Sequence, residues 1–488
     1  MVPVLLIGIP LLAGLIGFSL KDVAAKSWAL FASLIVLAVS LVGIFTPAGS
    51  KWLAFSTDWM GSLGSRFSVG LDGTGQILCL LTALAFPIIL ISTWKEDYKK
   101  ANNFFGLMLL SQAGLMGVFL ATDALLFYFF WELALIPVYF LASQWGGEKR
   151  VAATFKFFVY TFLGSLMMLI GLIYIYFHTK DHSFALSSFY SAHLLIPVEA
   201  QTWLFWLIFV AFAVKMPIFP FHTWQPDTYE QSPTAVTMVL SGLMVKMGLF
   251  GIWRWLAPVL PMGTYMWGDT VSTLCIIGMI YASLIAMRQD DLKRLVAYSS
   301  IAHMGLMCVA IFATTETGLQ GVIIQMFNHG INIIGMWIGV FLIEKQFKTR
   351  KISELGGLAG KAPVLTIMFV VITLANIALP LTNAFIGEFL MFSGIYSSKV
   401  TSYNVVFTVT AAVTVILSAV YMLNMVQRVF YGTTNTRTAQ GLDIRLNEKI
   451  ILGFIVVLIL AVGVYPEPVF RLTQSAVDLL LSKMYVKP

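Results

Sequence analysis

The sequence predicts an all-α polytopic membrane protein of about fourteen transmembrane helices, with two inverted five-helix repeats and discontinuous helices 7 and 12. Three observations point there. Of 488 residues, 59% are hydrophobic and 11% charged, and mean hydropathy is +0.87; a soluble chain is roughly 45–50% apolar and about 25% charged. Apolar runs of about 20 residues, enough for a hydrocarbon core ~30 Å thick, recur along nearly the whole chain. A β-barrel would show short alternating segments instead. Finally, prolines fall beside ionisable residues inside two of the runs.

The spans are taken in order. The first, 3–19, lacks the basic start and small-residue cleavage site of a signal peptide. Span 2 (27–46) precedes a polar outer loop, 47–72, and span 3 covers 73–93. Span 4 (104–120) leads to span 5 (122–143), which Asp123 opens as a cap and Glu132 centres. Span 6 (154–176) precedes an outer loop, 177–201, whose His178, His182 and His193 read as solvated. Span 7 (202–220) carries Lys215 with Pro217 and Pro220, and span 8 (234–254) carries Lys246. Spans 9 (269–287), 10 (294–313, with His303) and 11 (317–343, with His329) come next. An inner loop, 344–362, precedes span 12 (363–397), where Pro380, Asn383 and Gly387 lead to Glu388. Span 13 (404–425), a solvated loop (426–448) and span 14 (449–468) complete the chain.

Charge sets the orientation. Twenty of the 30 Lys and Arg fall in one alternating set of loops. The other set holds eight: Lys51, Arg66, Lys180, Arg254, Lys399, Arg471, Lys483 and Lys487. The basic set belongs in the cytoplasm, which places both termini outside. The net charge of +7 reflects this bias rather than an acidic partner. Cys79, Cys275 and Cys308 are isolated in apolar runs and form no CxxC pair, which argues against zinc or iron–sulfur ligation.

A charge at mid-bilayer costs at least ~2.5–3.5 kcal/mol, and such residues mark ion or proton paths. Glu132, Lys215, Lys246, His303, His329 and Glu388 are therefore the candidate proton-path residues. Each has a plainer alternative: a buried ion pair can simply fix packing, and a lone histidine can be a hydrogen-bonded core residue. The prolines favour the functional reading. They break helices, and broken helices at mid-membrane are tolerated where they line a wet cavity. The 173 residues from Lys215 to Glu388 nearly equal the 171 from Glu132 to His303, a layout expected of an internal repeat. Five helices per copy is an odd number, so the copies would be inverted. The chain then divides into a three-helix region (1–103), repeats at 104–255 and 269–425, and a terminal loop and helix (426–488).

The segments ATDALLFYFFWELALIPVYFL, AFAVKMPIFPFHTWQPDTYEQSPT, LMVKMGLFG, DDLKRLVAYSSIAHMG and NHGINI closely resemble the antiporter-like subunits of respiratory complex I, over about 75–430. The resemblance implies fourteen helices with two inverted repeats. It matches Glu132, Lys215, Lys246, His329 and Glu388 to the family's proton path, and His303 to a polar-axis position. It also places Asp227 and Glu230 in a cytoplasmic loop. Glutamate at 388, where other branches carry lysine, is similar to the M type, chain four in mitochondrial naming. The short tail argues against the L type and its lateral helix. The M pattern often has a Gly-rich stretch before this glutamate, where this chain reads ALPLTNAF.

By that resemblance the chain is a proton-translocating subunit of an NADH–quinone oxidoreductase. Its partners would be other membrane-arm subunits, including neighbouring antiporter-like ones, together with lipid and protons but no nucleic acid. No cofactor is expected in this chain; FMN and iron–sulfur clusters are expected in partner subunits. The lack of a transit sequence favours a bacterial inner membrane over an organellar one. Two alternatives stay open: a subunit of a cation/proton antiporter or hydrogenase-linked pump, and a haem protein, which needs axial histidine pairs at one depth.

Overall fold

The structure is a computed structural model and describes residues 1–484. Lys487, assigned to the outer set of basic residues, lies outside the described residues. The chain is overwhelmingly helical. Twelve helices among the described residues are long and apolar enough to cross a membrane.

The N-terminal region holds α1 (Val2–Gly17), α2 (Asp22–Phe45), a hairpin of β1 (Ala54–Met60) and β2 (Ser65–Gly70), and α3 (Gly73–Ser92). The next group is α4 (Ala101–Leu120), α5 (Ala124–Trp145), α6 (Arg150–Phe177), the short α7 (Leu186–Ala192), α8 (Val198–Lys215), α9 (Trp224–Gln231) and α10 (Thr234–Leu256). After it come α11 (Pro261–Arg288), α12 (Leu292–Phe312), α13 (Glu316–Phe347), α14 (Pro363–Asn376), α15 (Asn383–Tyr396) and α16 (Asn404–Phe430). The chain closes with α17 (Leu446–Val464) and α18 (Glu467–Lys483).

Burial sorts these helices. The apolar windows of α10 and α13 are 100% buried, against 28% for α17 and 33% for α2 and α16. The peripheral helices expose large apolar side chains such as Phe31, Val409, Ile416 and Val457, a surface suited to lipid tails. The central helices α10, α12 and α13 carry buried polar groups: Lys246, His303 and His329.

Four expectations need correction. The outer loop at 47–72 contains the β1–β2 hairpin, whose residues pair in register from Ala54↔Gly70 to Asp58↔Arg66, with a shift before Met60↔Ser65. The segment read as the QPDTYEQSPT loop is largely helical, because α9 resumes span 7 after its break and ends only at Gln231. The tail is an amphipathic helix, α18. It buries Thr473, Ala476, Val477 and Leu480 at helical spacing, and packs on α3 and α13. Arg254, assigned to an outer loop, is 3% exposed at the end of α10 and pairs with Asp72.

Candidate functional site

Both breaks lie where the prolines require them. In the first, α8 stops at Lys215, and Pro217 and Pro220 sit in the gap before α9. Freed carbonyls find new donors: Ile218 N donates to Ala213 O at 2.9 Å and Trp224 Nε1 to Val214 O at 3.0 Å. In the second, α14 stops at Asn376, Pro380 sits in the gap, and α15 begins at Asn383. Leu379 N donates there to Leu374 O at 3.0 Å. Each break satisfies these backbone groups locally, as a break inside a membrane must.

Helix polarity acts at the first break only. Lys215 is the last residue of α8, where the dipole is negative and favours a cation. Glu388 is the sixth residue of α15, past its first turn, and is placed by its contact with His303 rather than by the helix end.

The first half of the site is not a contact pair. Asp123 caps α5, accepting from Leu125 N at 3.1 Å and Leu126 N at 3.0 Å, and it also accepts from Ser65 Oγ at 2.9 Å. This fixes the depth of Glu132, about nine residues (~13 Å) along the same helix. Glu132 Oε1 and Lys215 Nζ each lack a hydrogen-bond partner. The Glu–Lys pair expected from the sequence is therefore a separated one. Aromatic rings explain it: Lys215 Nζ lies 5.6 Å from the ring centroids of both Trp131 and Phe157, which hold the ammonium by cation–π attraction.

The second half is a continuous file. Lys246 Nζ lies 2.8 Å from His329 Nδ1. His329 Nε2 lies 3.3 Å from Ser300 Oγ. The His329 and His303 rings stand 5.5 Å apart between centroids, and His303 Nδ1 reaches Glu388 Oε1 at 3.2 Å. Exposures of 0% for Lys246, 2% for His329, 8% for His303 and 6% for Glu388 seal this file from bulk water. Four helices contribute to it: α10, α13, α12 and α15. Each link joins groups that can exchange a proton, directly or across a ring-to-ring gap that one water could bridge.

An amide network, not singled out in the sequence, supports the Glu388 break. Asn328 Nδ2 donates to Asn383 O at 2.7 Å, and Asn332 and Asn383 exchange two bonds of 3.0 Å. Asn376 Nδ2 donates to Ser299 Oγ at 3.1 Å. The available signal was Asn328 and Asn332 at helical spacing around His329 in an apolar run. His222, inside the first break, was also missed: it is buried against Phe219 and Tyr281, and its Nδ1 has no partner.

On the basic face, the Lys- and Arg-rich loops converge around a cavity of about 1240 Å³ lined by eight cationic and five acidic residues. At its edge α9 is tied down. Arg294 reaches Glu230 at 2.8 Å and Asp227 at 3.2 Å, Lys156 reaches Asp227 at 2.9 Å, and Arg350 reaches Glu230 at 2.6 Å.

Residues 121–417 match the model of the family "NADH:quinone oxidoreductase/Mrp antiporter, TM". The chain is 39% identical over 426 residues to NADH-quinone oxidoreductase subunit M of Rickettsia typhi, covering 87% of this chain and 85% of that one. It is 34% identical to F(420)H(2) dehydrogenase subunit M of Methanosarcina mazei, covering 99% of both. A chain of respiratory complex I from Thermus thermophilus superposes with a TM-score of 0.91 at 26% identity, covering 100% of both chains. The protein belongs to the NADH:quinone oxidoreductase/Mrp antiporter family of membrane subunits and, within it, to the complex I antiporter-like subunits of type M.

Proposed function

We propose that this chain moves protons across the membrane as one subunit of an NADH–quinone oxidoreductase, driven by electron transfer in its partners. The observation that carries the reading is the sealed file from Lys246 through His329 and His303 to Glu388. A proton taken up by Lys246 passes to His329 Nδ1, then through the imidazoles to the Glu388 carboxyl, which releases it. Lys215 and Glu132 form the switch. When Glu132 approaches, its charge holds the Lys215 ammonium; when it withdraws, the proton is free to move on. Each charge carried against 100 mV needs about 2.3 kcal/mol, so the switch must be coupled to an energy source.

The same reading assigns FMN and iron–sulfur clusters to partner subunits, with neighbouring antiporter-like subunits beside this chain. The electron donor is chosen elsewhere in the assembly, since relatives named for different donors share this subunit. The basic face with its cavity is cytoplasmic, both termini lie outside, and the membrane is a bacterial inner membrane. In this arrangement α1 and the α14–α15 pair complete fourteen crossings, and α4–α10 and α11–α16 are the two inverted copies. A cation/proton antiporter is the second reading, favoured by the family's own breadth.

The test is gentle purification of the tagged chain with its partners. A large assembly with flavin and iron–sulfur signals and NADH-dependent quinone reduction supports the proposal. A small assembly of membrane subunits without NADH oxidation refutes it in favour of the antiporter.

A further inference from the structure

Helices α11 and α12 are joined by only three residues, 289–291, so they run antiparallel side by side. Glycines set their register. A Cβ on Gly268 would sit 3.5 Å from Phe312 Cδ1, and one on Gly305 would sit 2.5 Å from Met279 Cγ and 3.3 Å from Cys275 O. Cys308 follows Gly305 by three residues, on the same face of α12. The register therefore sets Cys308 against Cys275, and the two thiols are in hydrogen-bond contact. Both are free.

A buried cysteine is ordinarily a small apolar residue, and Cys79, alone on α3, reads as one. Cys275 and Cys308 differ because they face each other where the backbones come close. Packed helices usually keep their axes about 8–10 Å apart, whereas a disulfide joins Cα atoms within about 7 Å. Glycine at 305, one turn from Cys308, permits the closer approach. The sulfurs are shielded from water: Cys275 is 1% exposed and Cys308 0%. The outward face of α11 carries Ile277, Tyr281 and Leu284, each exposed where lipid would lie. An oxidant that arrives here is dissolved in the membrane, and the two-electron oxidant that the family's own reaction keeps in the membrane is a quinone.

We propose that Cys275 and Cys308 form a redox-active dithiol that a membrane-dissolved quinone oxidises to an interhelical disulfide, stapling α11 to α12. Two S–H bonds break and one S–S bond forms. Both electrons and both protons pass to the quinone, whose two carbonyls become the hydroxyls of a quinol. A dithiol reductant reverses the step by exchange. His303 lies five residues from Cys308 on α12, about 7.5 Å along the axis. The staple holds this segment of α12 against α11, and so restrains His303. That consequence rests on the proposed function; formation of the disulfide does not.

The test uses the assembled complex in inverted vesicles without NADH. Vesicles are incubated with excess duroquinone, and free thiols are then blocked with N-ethylmaleimide. The denatured chain is reduced and treated with a polyethylene glycol maleimide, so that each reducible thiol adds one mass step. Two steps are expected after duroquinone and none before it. Cys275→Ser and Cys308→Ser should each show none, while Cys79→Ser should still show two. No mass step in the unaltered chain overturns the dithiol, and so does a step that persists in Cys275→Ser. Proton pumping per electron should fall after the incubation and recover with dithiothreitol, whereas Cys275→Ser should pump normally and not respond. A disulfide that forms without changing pumping overturns the staple's hold on the file and leaves the file standing. If Cys275→Ser does not assemble, Cys275→Ala takes its place, and the mass steps of the unaltered chain still decide whether the disulfide forms.

Discussion

The two broken helices solve one problem in opposite ways. At the first, Lys215 is buried without a bonded partner, and Trp131 and Phe157 hold it apart from Glu132. At the second, Glu388 is bonded to His303, beside an asparagine network that braces the break. An unpaired buried charge is expensive and responds strongly to a small shift of its neighbour; a paired one is stable and passive. Under the proposed function, the contrast corresponds to a division of labour: the first break would switch, and the second would conduct.

Mutation can break that contrast. The largest effect is expected for Lys215→Ala, which removes the switch. Coupled pumping should be abolished while the complex still assembles, as read by dye quenching in inverted vesicles. Preserved pumping would falsify the assignment of Lys215. Glu388→Gln should come next, cutting pumping severely by removing the titratable end of the file. Glu388→Lys sharpens the point: retained pumping would show that a titratable group matters there more than its sign. Glu132→Gln should uncouple less completely, because Lys215 keeps its cation–π contacts and loses only the charge that gates it.

Smaller effects should be structural. Asn332→Leu leaves Asn383 without its reciprocal amide bonds, and should cost about 1–3 kcal/mol through the unsatisfied buried group. Thermal unfolding should register that loss, with pumping reduced and not abolished. Asp123→Ala removes a helix cap and should cost about 1 kcal/mol, with normal pumping per assembled complex. Pumping lost out of proportion to stability there would mean that the depth of Glu132 is more finely set than a cap requires.

Much of this was legible in the sequence because a membrane suppresses ambiguity. Apolar runs, loop charge and prolines beside Lys215 and Glu388 located the spans, the basic face and both breaks. The six titratable residues stood out because lipid makes such groups rare. Other features left weaker traces. The hairpin at Ala54–Gly70 and the amphipathic helix at Glu467–Lys483 lie outside the apolar runs, where no bilayer enforces a pattern. The α9 half-helix reads as a loop because it is short and polar; its ion pairs to Arg294, Lys156 and Arg350 span 64, 71 and 120 positions of the chain. The separation of Glu132 from Lys215 also depends on rings from two helices, which no spacing along the chain reveals.

The most direct test of the conducting file is the ratio of protons pumped to electrons transferred by the intact complex carrying Lys246→Ala. Lys246 is the first member of the file, and its Nζ lies within hydrogen-bond distance of His329. A ratio lowered by this subunit's share, with the complex assembled, is the expected result. An unchanged ratio would contradict the file and leave Lys246 and His329 as a buried structural pair.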